Sequence, residues 1–147
     1  MKEFDFEKTS IVDIVNIIIV DAIKRKASDI HFDPSRNSLM VRIRIDGELQ
    51  DYAKIPNMLK KNLITRIKII SGMNITETRL PQDGAIKNIV DSYNLDLRVS
   101  SLSVIDGEKI VIRILDYSMS LKGLENLGFS ENNLNKINKM ITKPNGL

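Results

Sequence analysis

The chain contains no cysteine and no tryptophan, a single histidine (His31), and only 5% aromatic residues. Without cysteine, disulfides and thiolate metal sites are excluded, and a reducing cytoplasm suits the protein. One histidine leaves little material for an acid–base pair or a zinc centre. The scarcity of aromatics, with none interleaved among the basic residues, argues against an RNA-recognition sheet that stacks bases. The most apolar run, Ile11 to Val20, is broken by Asp13 and Asn16 and is too short to span a bilayer. Met1-Lys2-Glu3-Phe4-Asp5 carries acids where a secretory signal needs positive charge followed by an apolar stretch. Neither G-x-x-x-x-G-K-[ST] nor G-x-G-x-x-G occurs, so the two common backbone cradles for phosphate are missing. No internal repeat or low-complexity segment is present.

What remains is the composition of one soluble domain. The 147 residues suffice for a single packed core, and 42% hydrophobic with 28% charged residues fits a folded protein. The net charge of +3 comes from 22 basic and 19 acidic residues, a near-balance that demands neither a nucleic acid nor an anionic membrane.

Thr9 or Ser10 is placed to cap a first helix, with Asp13 as the acid of a capping box. Ile11, Ile14, Val15, Ile18, Ile19, Ala22 and Ile23 follow helical spacing toward Lys24-Arg25-Lys26, where cations suit the helix dipole. Asp29 to Asp33 is a short strand, and Leu39, Val41, Ile43 and Ile45 alternate with Met40, Arg42 and Arg44 as a half-buried strand. Asp46-Gly47 predicts a hairpin into a strand around Leu49 to Ile55. An amphipathic basic helix is expected over Asn57 to Ser71, stopped at Gly72. Arg79 to Gly84 is expected as a loop, with Asp83-Gly84 supplying turn geometry, followed by strands at 85–90, 95–104 and 109–115, the last two joined by Asp106-Gly107. Ser130 is placed to cap a final helix reaching Thr142. The pattern is α+β, one antiparallel sheet with helices on one face or at its ends. The expected organisation is a domain over residues 1–116 and a helical extension over 117–147.

One pair of strands brings two cations together. If Asp106-Gly107 forms the two-residue turn, Ser100 lies opposite Arg113, and Arg98 is the diagonal neighbour of Arg113 on the same face. Leu97, Val99, Ile112 and Ile114 then face the core. Two guanidiniums held close by a rigid sheet repel unless an anion lies between them, and a planar fork of donors matches the oxygens of phosphate. The plainer alternative is a pair of surface arginines neutralised by Asp96, Asp116 or Glu108.

Two further groupings carry less. Asp29, His31 and Asp33 project from one strand face like metal ligands, but residues two apart on a strand are ~7 Å apart, too far for adjacent ligands of one ion. No metal site is assigned. Lys60, Lys61, Arg66 and Lys68 read as a solvated helix face or a surface for an acidic neighbouring subunit rather than a nucleic-acid site.

Several stretches stand out together in order and spacing: Ala27-Ser28-Asp29-Ile30-His31, Val41-Arg42-Ile43-Arg44-Ile45-Asp46-Gly47, Arg66-Ile67-Lys68-Ile69, Arg79-Leu80-Pro81-Gln82-Asp83-Gly84, Leu97-Arg98-Val99-Ser100 and Gly107 to Asp116. Together they resemble the second N-terminal domain of the type IV pilus assembly and type II secretion traffic ATPases. Leu127-Gly128 through Lys143-Pro144-Asn145-Gly146 resembles that family's approach to its phosphate-binding loop, so the likeness covers about residues 10 to 147. The resemblance implies a PAS-like domain that is not itself catalytic, cut from a parent that binds ATP and Mg²⁺ on a motor domain lying beyond it. It implies that Arg98 and Arg113 reach the phosphates of that ATP when the domain swings over the nucleotide. The implied partners are the chain's own motor domain, neighbouring subunits of a homohexamer, and an inner-membrane platform protein, at the cytoplasmic face of the membrane. No cofactor is expected in these residues by themselves, and no nucleic acid partner. Frequent Ile, Lys and Asn suggest an AT-rich genome and favour pilus assembly over secretion. One departure stands out: relatives often carry an arginine after Pro-Gln-Asp-Gly, where this chain has Ala85, so a contact made there is lost or passes to Lys87. The alternatives are a free-standing small-ligand sensor, which needs an apolar pocket with convergent polar groups, and a nucleic-acid module with salt-dependent binding.

Overall fold

The computed structural model describes residues 1–87, 96–115 and 123–144, with only the backbone at Asn126. The first helix, α1 (Ile11–Lys24), begins where its sequence places it. Ser10 is extended, and its hydroxyl accepts from the Asp13 amide at 3.1 Å while donating to the Asp13 carboxylate at 2.7 Å. At its far end Lys26 takes a left-handed φ of 56°; its amide donates to the Ile23 carbonyl and that of Ala27 to the Ala22 carbonyl, which closes the helix as a Schellman motif. Helix α2 (Asn57–Ile70) ends the same way, with Gly72 at φ 73° and the Met73 amide donating to the Lys68 carbonyl. Gly72 is therefore the stop that the sequence predicts.

Six strands form one antiparallel sheet: β1 (Asp29–Pro34), β2 (Ser38–Ile45), β3 (Glu48–Pro56), β4 (Gln82–Lys87), β5 (Asp96–Val104) and β6 (Gly107–Leu115). Their spatial order is β3-β2-β1-β6-β5-β4, so the consecutive hairpins β1–β2–β3 and the β4–β5–β6 group meet where β1 pairs with β6. This is the expected α+β class. Ile30, Phe32, Val41, Ile43, Leu97, Val99, Ile110 and Ile112 line one face of the sheet, and α1 and α2 supply Ile14, Ile18, Leu63 and Ile67 to the same core. Period-two alternation thus places the apolar set under the helices and leaves the charged set on the opposite face.

Three local expectations are corrected. Gln82 to Gly84, expected as loop, already belongs to β4. Gly84 does not serve a turn: Ala85 donates to the carbonyl oxygen of Ser71 at the end of α2, and a Cβ on residue 84 would run into that same oxygen. The close approach requires glycine. The β5–β6 turn is Ile105-Asp106 rather than Asp106-Gly107, because Val104 pairs with Gly107. The positive φ that an Asp-Gly turn needs is present at both Asp46 (50°) and Gly47 (85°), but in the β5–β6 hairpin it falls on Gly107 alone (136°), the first residue of the returning strand. Residues 88–90, expected in the first of these strands, lie outside the described residues.

Lys68 departs most from the expectation of a solvated basic helix face. Its side chain is 1% exposed, and its Nζ donates to the Glu77 carbonyl at 2.6 Å and to the Glu108 carboxylate at 2.7 Å. It joins α2 to β6 and to the segment before β4, where Gln82 Nε2 donates to the carbonyls of Asn74 and Glu77. Lys60 is also engaged, donating to the carbonyls of Ser35 and Asp106.

On the charged face, His31 of β1 stands directly between Arg42 of β2 and Val111 of β6. Both its ring nitrogens are buried without a hydrogen-bond partner. Burial lowers its pKa below the usual 6.5, and the nearby Asp33 only partly opposes this. Asp33 is held by Lys109 at 2.8 Å and Arg42 at 2.7 Å; burial alone would raise its pKa, but these two cations leave it lowered.

Residues 116–147 form a second compact unit, distinct from residues 1–115. It holds a 3₁₀ turn at Leu124–Leu127, closed by Gly128 at φ 77°, and helix α3 (Glu131–Ile141). Ser130 occupies the N-cap position of α3 with extended backbone, but its side chain makes no capping hydrogen bond.

Two measurements test this architecture. Lys68→Met leaves the Glu108 carboxylate without its counter-charge in a buried place, so chemical denaturation should show a loss of about 3 kcal/mol, against under about 1 kcal/mol for an exposed pair. A loss in the exposed-pair range would show that the ion pair does not join α2 to β6. For His31, protonation is resisted in the fold but free in the unfolded chain. Stability should therefore be level above pH 6.5 and decline as the pH falls below it, until the folded chain also takes up the proton. His31→Gln should flatten that decline between about pH 6.5 and 5, above the range in which the lowered carboxylates Asp21 and Asp33 respond.

Candidate functional site

Strand register aligns one row of side chains across the charged face. Arg44 of β2 lies opposite Asp29 of β1, Asp29 opposite Arg113 of β6, Arg113 opposite Arg98 of β5, and Arg98 opposite Ala85 of β4. The shift of the β5–β6 turn by one residue changes the expected geometry in detail. Arg98 and Arg113 are direct cross-strand partners rather than diagonal neighbours, which brings their Cα atoms to the ~4.5–5.5 Å separation of opposed residues. They remain on one face, because the slip changes the sum of paired residue numbers by two and so preserves the alternation.

Like charges placed directly opposite destabilise a sheet unless something compensates. The compensation is partial. Asp96 accepts from Arg98 Nη2 at 3.1 Å, and Asp29 accepts from Arg113 Nε at 3.4 Å. Of the neutralising acids the sequence offers, Asp96 takes that role; Glu108 belongs instead to Lys68, and Asp116 lies outside the described residues. Both arginine side chains stay largely open to solvent, at 58% for Arg98 and 69% for Arg113. Together with Asp83, Ala85 and Ser100 they border an open depression of about 730 Å³.

Asp29 is the residue whose part in the row sequence reasoning missed. It is 9% exposed, and its two oxygens are divided between neighbours. Oδ1 accepts from Arg113, and Oδ2 accepts from the Ser28 hydroxyl at 2.8 Å and forms an ion pair with Arg44, whose Nε lies 3.4 Å away. Arg44 also donates through Nη1 to the Gly47 carbonyl at 2.9 Å. The signal lay in the alternation of β1, which puts Asp29, His31 and Asp33 on one face. The missing information was the long-range pairing of β1 with β6, which no local pattern specifies. With Asp29 tied to two arginines and Asp33 to Arg42 and Lys109, the carboxylates of the apparent Asp-His-Asp set are engaged in ion pairs.

Ala85 sits at the end of this same row beside Arg98. A guanidinium there would extend the cationic row by one strand. Lys87 faces Asp96 on the same strand pair, one pleat away.

Comparison with known proteins identifies the family. The sequence model of the family described as Type II/IV secretion system protein matches residues 5–147. The chain is 40% identical over 142 residues to the type IV pilus assembly ATPase PilB of Acinetobacter baylyi, covering 96% of this chain and 24% of that protein. It is 40% identical over 137 residues to type II secretion system protein E of Xanthomonas campestris pv. campestris, covering 93% of this chain and 24% of that protein. Against PilB of Thermus thermophilus the identity is 36% over 143 residues, 97% of this chain and 16% of that protein. The chain therefore spans about a quarter or less of the length of these relatives. Among solved structures, that of the Legionella pneumophila ATPase DotB aligns with a TM-score of 0.55 over 93% of this chain and 36% of that chain, at 17% identity, a likeness of fold. No helix among the described residues is long and apolar enough to cross a membrane. The ordered motifs, the six-stranded α+β fold and the match over residues 5–147 place the chain in the type II/IV secretion system protein family.

Proposed function

We propose that residues 1–116 are a non-catalytic coupling domain of a type IV pilus assembly ATPase, and that residues 117–147 are the helical connection toward its motor core. The observation that carries this reading is the direct opposition of Arg98 and Arg113 on two rigidly paired strands. Two exposed, half-compensated guanidiniums at that separation gain most from an anion that accepts from both, and phosphate offers more oxygens than one carboxylate. ATP and Mg²⁺ would be held by the motor domain, since residues 1–147 contain no phosphate-binding loop of their own. Closure of this domain over the nucleotide brings the arginines to the phosphates, and release after hydrolysis lets it swing away. The motion would pass to neighbouring subunits of a homohexamer and to an inner-membrane platform protein at the cytoplasmic face of the membrane. These residues alone would not hydrolyse ATP. Relatives named for pilus assembly and for type II secretion match with equal identity, so composition alone favours the pilus machine.

The test uses the full-length parent ATPase. Arg98→Ala and Arg113→Ala should each lower kcat by about tenfold or more while assembly and melting temperature hold, as expected when a cation that stabilises developing phosphate charge is removed. Unchanged turnover in both would leave the domain a scaffold.

A further inference from the structure

Among the described residues, Arg113 is held from one side only. Its contact with Asp29 runs through Nε, the donor nearest the chain, and its two terminal amino groups have no protein partner among the described residues. The side chain is otherwise open, and a free arginine of that exposure would sample many rotamers. Asp29 is not free to follow it. The Asp29 carboxylate is nearly buried, anchored by the Ser28 hydroxyl at 2.8 Å and by Arg44 Nε on the opposite strand. Arg44 is fixed in turn by its bond to the Gly47 carbonyl in the β2–β3 turn.

We propose that Asp29 is a positioning residue for Arg113: it holds the Nε edge of the guanidinium so that the terminal edge faces outward as a ready fork for phosphate. The inference rests on the phosphate-contact reading given above. A bidentate grip on the terminal edge would consume the donors that an incoming phosphate needs, whereas a single contact at Nε leaves them available. Arg44 completes the arrangement, because a lone carboxylate beside Arg113 would cancel much of its charge. Shared between two arginines, Asp29 leaves the Arg44–Asp29–Arg113 set with a net charge of one positive unit, while Arg98 beside it is paired with Asp96. Asp29 thus contributes order without abolishing the field that attracts the anion.

Two measurements decide the matter. In the full-length parent ATPase, a double-mutant cycle compares kcat for Asp29→Asn, Arg113→Ala and the pair. If Asp29 acts through Arg113, Asp29→Asn lowers kcat by about three- to tenfold, and adding it to Arg113→Ala changes kcat by less than about twofold, the mark of coupled residues. If Arg113→Ala lowers turnover but Asp29→Asn does not, or if the two losses multiply, the positioning role is overturned while phosphate contact stands. If Arg113→Ala itself has no effect, both readings fall. The second measurement uses the 147-residue chain and the NMR signal of the Arg113 Nε–H group. A resolved, slowly exchanging resonance that collapses to the exposed-arginine position in Asp29→Asn supports the contact. A resonance unchanged by the substitution refutes it, whether or not the variant assembles into a working ATPase.

Discussion

β1 is the strand on which the rest of the sheet depends. It pairs with β2 on one side and β6 on the other, and it alone joins the two groups of hairpin-linked strands. Ile30 and Phe32, both fully buried, fix which face of that strand meets the helices. A slip of one residue would drive Asp29, His31 and Asp33 into the apolar layer and expose both anchors, an exchange that no nearby cation could offset. The register of β1 therefore sets the register of β6 against it, and through β6 the opposition of Arg113 with Arg98. The site is a consequence of where two apolar side chains must go.

Much of this was legible in the chain. The helix spacing from Ile11 to Ile23, the alternation from Leu39 to Ile45 and the stop at Gly72 depend on neighbours within a few residues, and sequence reports such neighbours directly. What escaped was decided by distant partners. Lys68 looks like any lysine on a basic helix until Glu108 and the Glu77 carbonyl come beneath it. Asp29 looks like one of three aligned acids and imidazoles until β6 arrives alongside with Arg113. The Asp-Gly pairs show the same limit at shorter range. Asp46-Gly47 and Asp106-Gly107 mark hairpins correctly, yet whether the glycine sits in the turn or just beyond it depends on the strand pairing that follows.

The arginine pair was inferred from strand alternation, and that inference survived a wrong turn because facing depends on parity alone. Its closeness was underestimated for the same reason: parity says which face, while the turn says how far along. Strand geometry places the two guanidiniums but does not name the anion they meet; that part of the reading comes from the family resemblance. Ala85 lies in the row itself. With alanine at that position, the cationic part of the row is centred on Arg98 and Arg113.

The borders of the sheet bear on how such a domain survives crowding. Outer strands present unpaired backbone donors and acceptors to which another chain can add. Here the β4 border meets the end of α2, where Ser71 accepts from Ala85, and the β3 border is met by the N-terminal segment, where Lys2 donates to the Tyr52 carbonyl and bridges Ala53. The glycine that lets Ser71 approach is thus also a guard against unwanted strand addition.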